Sequence, residues 1–232
     1  MERRRFITAC GAACGMAGLH WPAEAAVARS FPRSVLTDAH DRPLKASTLQ
    51  IGRNYVFPWP YPATPCFLLD LGRKIDGRDD LRTADGQRYD WPGGVGPRQS
   101  VVAYSAICSH KLTHPTRDIS FIAYREQGTP HSRHARVIHC CSEHSQFDPA
   151  AGARVLDGPA PQPLAAVVLD YDAERDELSA IGTLGNVLFD RFFETFGFRL
   201  ALEHGGERAA RPVGPTTRVL GMDQFCRQQV RC

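Results

Sequence analysis

The chain has 232 residues, is 43% hydrophobic, carries a formal net charge of +3 and contains eight cysteines. That length allows one domain with a substantial core or two small ones, and the composition is that of a soluble globular chain. The slight basic excess selects no partner. With no basic run beyond the N-terminus and no interleaved aromatics, nucleic acid is not expected.

Met1 to Ala28 reads as an export signal. Arg3-Arg4-Arg5-Phe6-Ile7 matches the twin-arginine pattern, an apolar stretch rich in Ala and Gly runs from Phe6 to Leu19, and Ala26-Val27-Ala28 offers a cleavage site. The stretch is shorter than the roughly 20 residues a membrane-spanning helix needs, so cleavage and a periplasmic location are expected. An uncleaved N-terminus is the alternative. The twin-arginine route carries folded, cofactor-loaded proteins.

Residues 29–48 are mixed and polar and are expected to wrap the surface. Leu49 to Phe57 suggests a strand, ended by Pro58-Trp-Pro-Tyr-Pro62 because alternating prolines cannot sit inside a ladder. Cys66 to Leu71 is the next strand, and a polar segment with the turn signal Asp85-Gly86 follows. Ser100 to Ile107 is an apolar run of strand length leading into Cys108-Ser-His110. After it, Ile119 to Tyr124 reads as a strand and Gly128 to His134 as a polar turn, so residues 118–136 form an expected hairpin with an exposed tip. Cys141-Ser-Glu-His144 comes next, then Phe147-Asp148-Pro149 and the segment Asp157-Gly-Pro-Ala-Pro-Gln-Pro-Leu164. Leu164 to Asp170 and Glu177 to Ile181 flank a polar turn and predict a hairpin. Asn186 to Leu202 predicts a helix with Phe189, Phe192, Phe193, Phe196 and Leu200 at spacings of three and four. The tail from Glu203 to Cys232 has no apolar period and is expected to be extended, lying on another subunit.

The two Cys/His pairs carry the chemistry. Two thiolates and two imidazoles on two short loops suit a Rieske [2Fe–2S] cluster, in which one iron takes two Cys and the other two His. They also suit tetrahedral zinc, in which case the chain is a zinc-stabilised binding module without a redox role.

At these residues the sequence resembles the Rieske iron–sulfur protein family. Phe147-Asp148, Gly152 and the proline-rich 157–164 segment, similar to the loop that covers the cluster in that family, extend the resemblance. It implies Cys108, His110, Cys141 and His144 as ligands of a [2Fe–2S] cluster. An alignment on Ser145-Gln-Phe-Asp-Pro149 would instead make Cys140 the ligand and put Glu143 where the second His belongs. The loops are separated by 30 residues, 111–140, more than is usual in the family.

The resemblance implies an all-β chain with a Rieske-type antiparallel β-sandwich and a cluster-binding subdomain. The expected organisation is a signal over 1–28, a Rieske domain over 29–182 with the 118–136 insertion, and an appended helix and tail over 183–232. It further implies one-electron transfer within a larger oxidoreductase, with a partner subunit, a cytochrome or a quinol as redox partner. Small subunits of the arsenite-oxidase type share the signal-plus-Rieske arrangement, and the Rieske subunit of a quinol:cytochrome c reductase is the alternative. Membrane association would come only through a partner or the N-terminus. In the quinol-oxidising type a disulfide joins the cluster loops at positions that here are Thr113 and Glu143, so that bridge is absent. Cys226 and Cys232 are left as a candidate pair in an oxidising compartment. High-potential members place a Ser and a Tyr hydroxyl behind the second loop. Ser145 is present, but Phe147 replaces the Tyr, which predicts a lower reduction potential.

Overall fold

The computed structural model describes residues 28–232, so the expected signal, with Cys10 and Cys14, lies outside the described residues except for Ala28. Among the described residues the chain is mostly β-sheet with two α-helices. No helix among them is long and apolar enough to cross a membrane.

The first half of the chain supplies β1 (Ala28–Thr37), β2 (Tyr55–Pro58), β3 (Pro65–Asp70), the hairpin of β4 (Arg78–Arg82) and β5 (Arg88–Trp91), and β6 (Val101–Ser105). The segment expected to wrap the surface therefore forms a strand. The second half of β1 buries Ser34, Leu36 and Thr37 between two neighbouring strands, a placement its Pro- and Arg-bearing sequence does not announce. The strand expected from Leu49 is cut to its last residues. Gly52, at φ 71°, and the Arg53 N–H donating to the Gln50 carbonyl at 3.2 Å make a turn first.

Next come β7 (Ile119–Ser120), β8 (Ile122–Arg125), β9 (Val137–Cys140), β10 (Ser145–Asp148) and β11 (Arg154–Asp157). The chain then returns through β12 (Ala166–Asp172) and β13 (Glu177–Leu184) to α1 (Val187–His204), and closes with β14 (Thr216–Arg218), β15 (Leu220–Gly221), α2 (Met222–Phe225) and β16 (Gln228–Gln229). The expected 118–136 hairpin extends further along the chain: β8 pairs with β9, which begins at Val137, and its tip is exposed except for the half-buried Thr129 and the buried Ser132. Helix α1 stops at Gly205, whose φ of 78° is readily adopted only without a Cβ.

Eight strands form one sheet in the order β14-β1-β13-β12-β6-β3-β2-β15, and four form another in the order β11-β10-β9-β8. The period of two along β3 and β6 explains how the large sheet serves two cores. Phe67, Leu69, Val102 and Tyr104 face one core, shared with Ile122, Ile138 and Phe147 of the small sheet. Cys66, Leu68, Val101 and Ala103 face the other, shared with Leu188, Phe189, Phe192 and Leu200 of α1. The aromatic stripe of the helix thus packs on its own chain.

Residues 183–232 are woven into the domain. Strand β14 runs parallel to β1, and β15 pairs with β2. The tail lies on the chain itself rather than being left for another subunit. Strand β16 runs parallel to β7, and the Val230 N–H donates to the Ser120 carbonyl at 2.8 Å.

Candidate metal centre

Two loops meet at the end of the small sheet. Strand β6, buried along its whole length, delivers the first. There the Cys108 N–H donates to the Thr113 carbonyl at 2.8 Å and the Leu112 N–H to the Cys108 carbonyl at 2.9 Å, closing a tight loop around His110. The second loop is the turn between β9 and β10, from Cys141 to His144, in which Cys140 pairs with Ser145 and His144 sits at φ 56°.

Cys108 and Cys140 are both buried and free, and their thiols face one another. The Cys140 thiol is drawn down to about 7, chiefly by its hydrogen bond with Cys108, against the cost of burial and with help from the Ser142 and Glu143 amides. Cys108 is pushed upward by the same hydrogen bond, then by burial. Backbone amides of His110 and Lys111 also reach Cys108. Amide groups directed at both sulfurs favour the thiolate, against the burial that disfavours it.

Cys141 is placed differently from its expected role as a ligand. Its sulfur is bonded to Cys232, with a Cα–Cα distance of 5.7 Å, so it has no thiolate to offer. The thiol that meets Cys108 is Cys140, the residue singled out by the alignment on Ser145-Gln-Phe-Asp-Pro149. The expected Cys226–Cys232 pair is likewise not formed, and Cys226 is a buried free thiol. The bridge could not be found from spacing, because its halves lie 91 positions apart and only the docking of the tail brings them together.

The Nδ1 of His110 is buried and has no hydrogen-bond partner. The exposed His144 ring stacks on His131, with centroids 5.0 Å apart, and lies 5.7 Å from His139. Glu143, on the same turn, forms an ion pair with Lys111 that holds its carboxyl below the usual range.

The surrounding shell has further parts. The Ser145 hydroxyl is buried and unpartnered, and Phe147 is fully buried. The proline-rich segment closes over the loops: the Ser109 hydroxyl donates to the Gln162 carbonyl at 2.6 Å. Gly158, at φ 85°, lies so close to the second loop that a Cβ there would meet the Ser145 Cα at 2.6 Å and the His144 carbonyl at 2.8 Å. Any side chain at 158 would separate cover from turn. On the other side, the Arg191 guanidinium of α1 donates to the Ser109 carbonyl at 3.3 Å and the His110 carbonyl at 3.1 Å. Sequence pattern singled out the helix for its aromatic stripe and missed this arginine on another face.

Tested against a [2Fe–2S] cluster of the Rieske kind, the donors fit at three positions: two facing thiols for one iron, and an orphaned imidazole nitrogen for the other. Two further candidate donors, Glu143 and His144, are carried by the second turn.

No family profile matches the chain. It is 28% identical over 188 residues to the iodate reductase subunit IdrB of Denitromonas iodatirespirans, covering 80% of this chain and 82% of that one. It is also similar to the crystal structure of the soluble domain of Rieske protein II from Sulfolobus acidocaldarius. That match has a TM-score of 0.48 and 28% identity, over 66% of this chain and 78% of the other. The Cys108-x-His110 loop, the facing Cys140, the proline-rich cover and the similarity to IdrB together support a Rieske-type protein.

Proposed function

We propose that the chain transfers single electrons as a periplasmic, non-catalytic subunit of a larger oxidoreductase, through a [2Fe–2S] cluster between the two loops. The observation that carries this reading is the pair of buried, facing thiols of Cys108 and Cys140 beside the unpartnered Nδ1 of His110. When bound, such a cluster supplies one-electron redox chemistry and makes no bond in a substrate. Cys108 and Cys140 would hold one iron. His110 would hold the other with His144, because a neutral imidazole suits that iron while Glu143 is already paired with Lys111. Gly158 and Gln162 keep the cover on the loops, and Arg191 fixes the carbonyls on either side of the His110 amide. The relationship to a reductase subunit favours a catalytic subunit as partner. A cytochrome or a quinol is the alternative, and Met1 to Ala28 is read as the signal that takes the folded protein across the membrane.

Electron paramagnetic resonance of the reduced protein tests the ligand set. Cys140→Ser and His144→Ala should each abolish the Rieske-type signal, whereas Cys141→Ser should keep it. Retention in Cys140→Ser, or loss in Cys141→Ser with the fold intact, would return Cys141 to the ligand set. A colourless, zinc-loaded wild type would remove the redox reading altogether.

A further inference from the structure

Outside the proposed cluster site, a second group of soft ligands lies on the other side of the β9–β10 turn. His139 is buried on β9 directly before Cys140, and Cys141 follows at the start of the turn. Cys232 arrives from the end of the chain. The donor atoms of His139, Cys141 and Cys232 all lie within 4.8 Å of one another, and the Cys232 Sγ is 3.7 Å from Nδ1 and 3.8 Å from Nε2 of His139. Tetrahedral zinc, with Zn–S about 2.3 Å and Zn–N about 2.0–2.1 Å, sets a sulfur and a nitrogen roughly 3.6 Å apart. The imidazole and one sulfur already stand at the separation of co-ligands.

We propose that reduction of the Cys141–Cys232 disulfide opens a zinc site made of Cys141, Cys232 and His139, with the fourth position left to solvent. Two electrons and two protons from a dithiol reductant convert the disulfide into two thiols, and the reductant leaves as its own disulfide. Zinc binding then releases both thiol protons, because the ligands are thiolates. The charge of the two thiolates cancels that of the cation.

The site survives reduction because the tail has its own anchors. Amides of Arg227, Gln228 and Val230 donate to the carbonyls of Arg117, Asp118 and Ser120 at 3.0, 3.0 and 2.8 Å, and Arg125 donates to the Val230 carbonyl. Cys232 is therefore held beside Cys141 by backbone bonds as well as by the bridge. Both sulfurs are partly exposed, which gives reductant and metal a way in. The set shares no residue with Cys108, Cys140, His110 and His144, although the His139 ring lies 5.7 Å from that of His144, so zinc and cluster draw on different donors.

The test uses the cluster-loaded protein, reduced with a resin-bound dithiol that is removed before Co²⁺ is added. One Co²⁺ per reduced chain should bind, with sulfur-to-cobalt charge-transfer absorption in the difference spectrum that Zn²⁺ bleaches, and none should bind the oxidised chain. Cys232→Ser, with unchanged circular dichroism and cluster signal, should weaken binding by roughly a hundredfold or more. Should the variant lose its fold, wild type alone decides. Zn²⁺ should protect Cys141 and Cys232 of the reduced chain from alkylation, read residue by residue by mass spectrometry. Cobalt binding that is equal in both redox states or unchanged in Cys232→Ser, or alkylation indifferent to Zn²⁺, would overturn the proposal.

Discussion

Ser145 shows how a single atom can report on a bound group. Its hydroxyl is buried without a partner, although a polar group in that state costs about 1–3 kcal/mol. Removing an idle hydroxyl of this kind should be neutral or stabilising. A hydroxyl that hydrogen-bonds a cluster sulfur favours the reduced, more negative state and so raises the potential. Ser145→Ala is therefore expected to keep or raise the melting temperature of the cluster-free protein while lowering the reduction potential of the loaded one. Voltammetry beside thermal unfolding checks this, and an unchanged potential would mean that the hydroxyl points elsewhere. Phe147, buried in the adjoining core, has no such proton to give, and the expectation of a potential below that of the quinol-oxidising proteins rests on this difference.

At the scale of elements, α1 is a structural partner of the first loop. Its period of three and four was legible in the sequence, and so was the existence of a helix there. The surface it covers was not, because periodicity gives the width of an apolar face and not its counterpart. Phe192 and Phe196 pack on His114, with ring centroids 4.9 and 5.7 Å away. The His114 Nδ1 lies 2.8 Å from the Leu112 carbonyl and its Nε2 lies 3.0 Å from Arg199 Nη2. Both contacts are satisfied only by a neutral ring protonated on Nδ1, since Arg can only donate. Burial pushes the pKa of His114 below its ordinary value of 6.5. As pH falls through that value, the unfolded chain takes up the proton and the folded chain resists it, so His114 lowers stability on the acid side. His114→Gln should flatten the melting temperature between about pH 7 and pH 5 relative to wild type. An equal acid slope in both proteins would show that the ring titrates freely.

At the scale of the whole molecule, Cys232 ties the tail to the second loop. Strands rich in β-branched and aromatic residues, the first Cys/His loop and the proline-rich cover could be read directly, because each is a local pattern. The choice between Cys140 and Cys141 could not, because it depends on where the distant tail lies. Once β16 runs beside β7, Cys232 takes Cys141, and Cys140 is the thiol left facing Cys108. The same bridge should be a major part of the chain's stability. Closing a loop of 91 residues in the unfolded chain removes conformational entropy worth about 4–5 kcal/mol in the chain-entropy model, within a usual range of about 0–5 kcal/mol. For a domain of this size, a loss of about 2–5 kcal/mol lowers the melting temperature by roughly 5–15 °C. Cys232→Ser and wild type under a dithiol reductant should therefore melt at similar, lower temperatures, and the reductant should barely move the variant. A variant that melts with the oxidised wild type would show that the backbone bonds of the tail hold the second loop without the bridge.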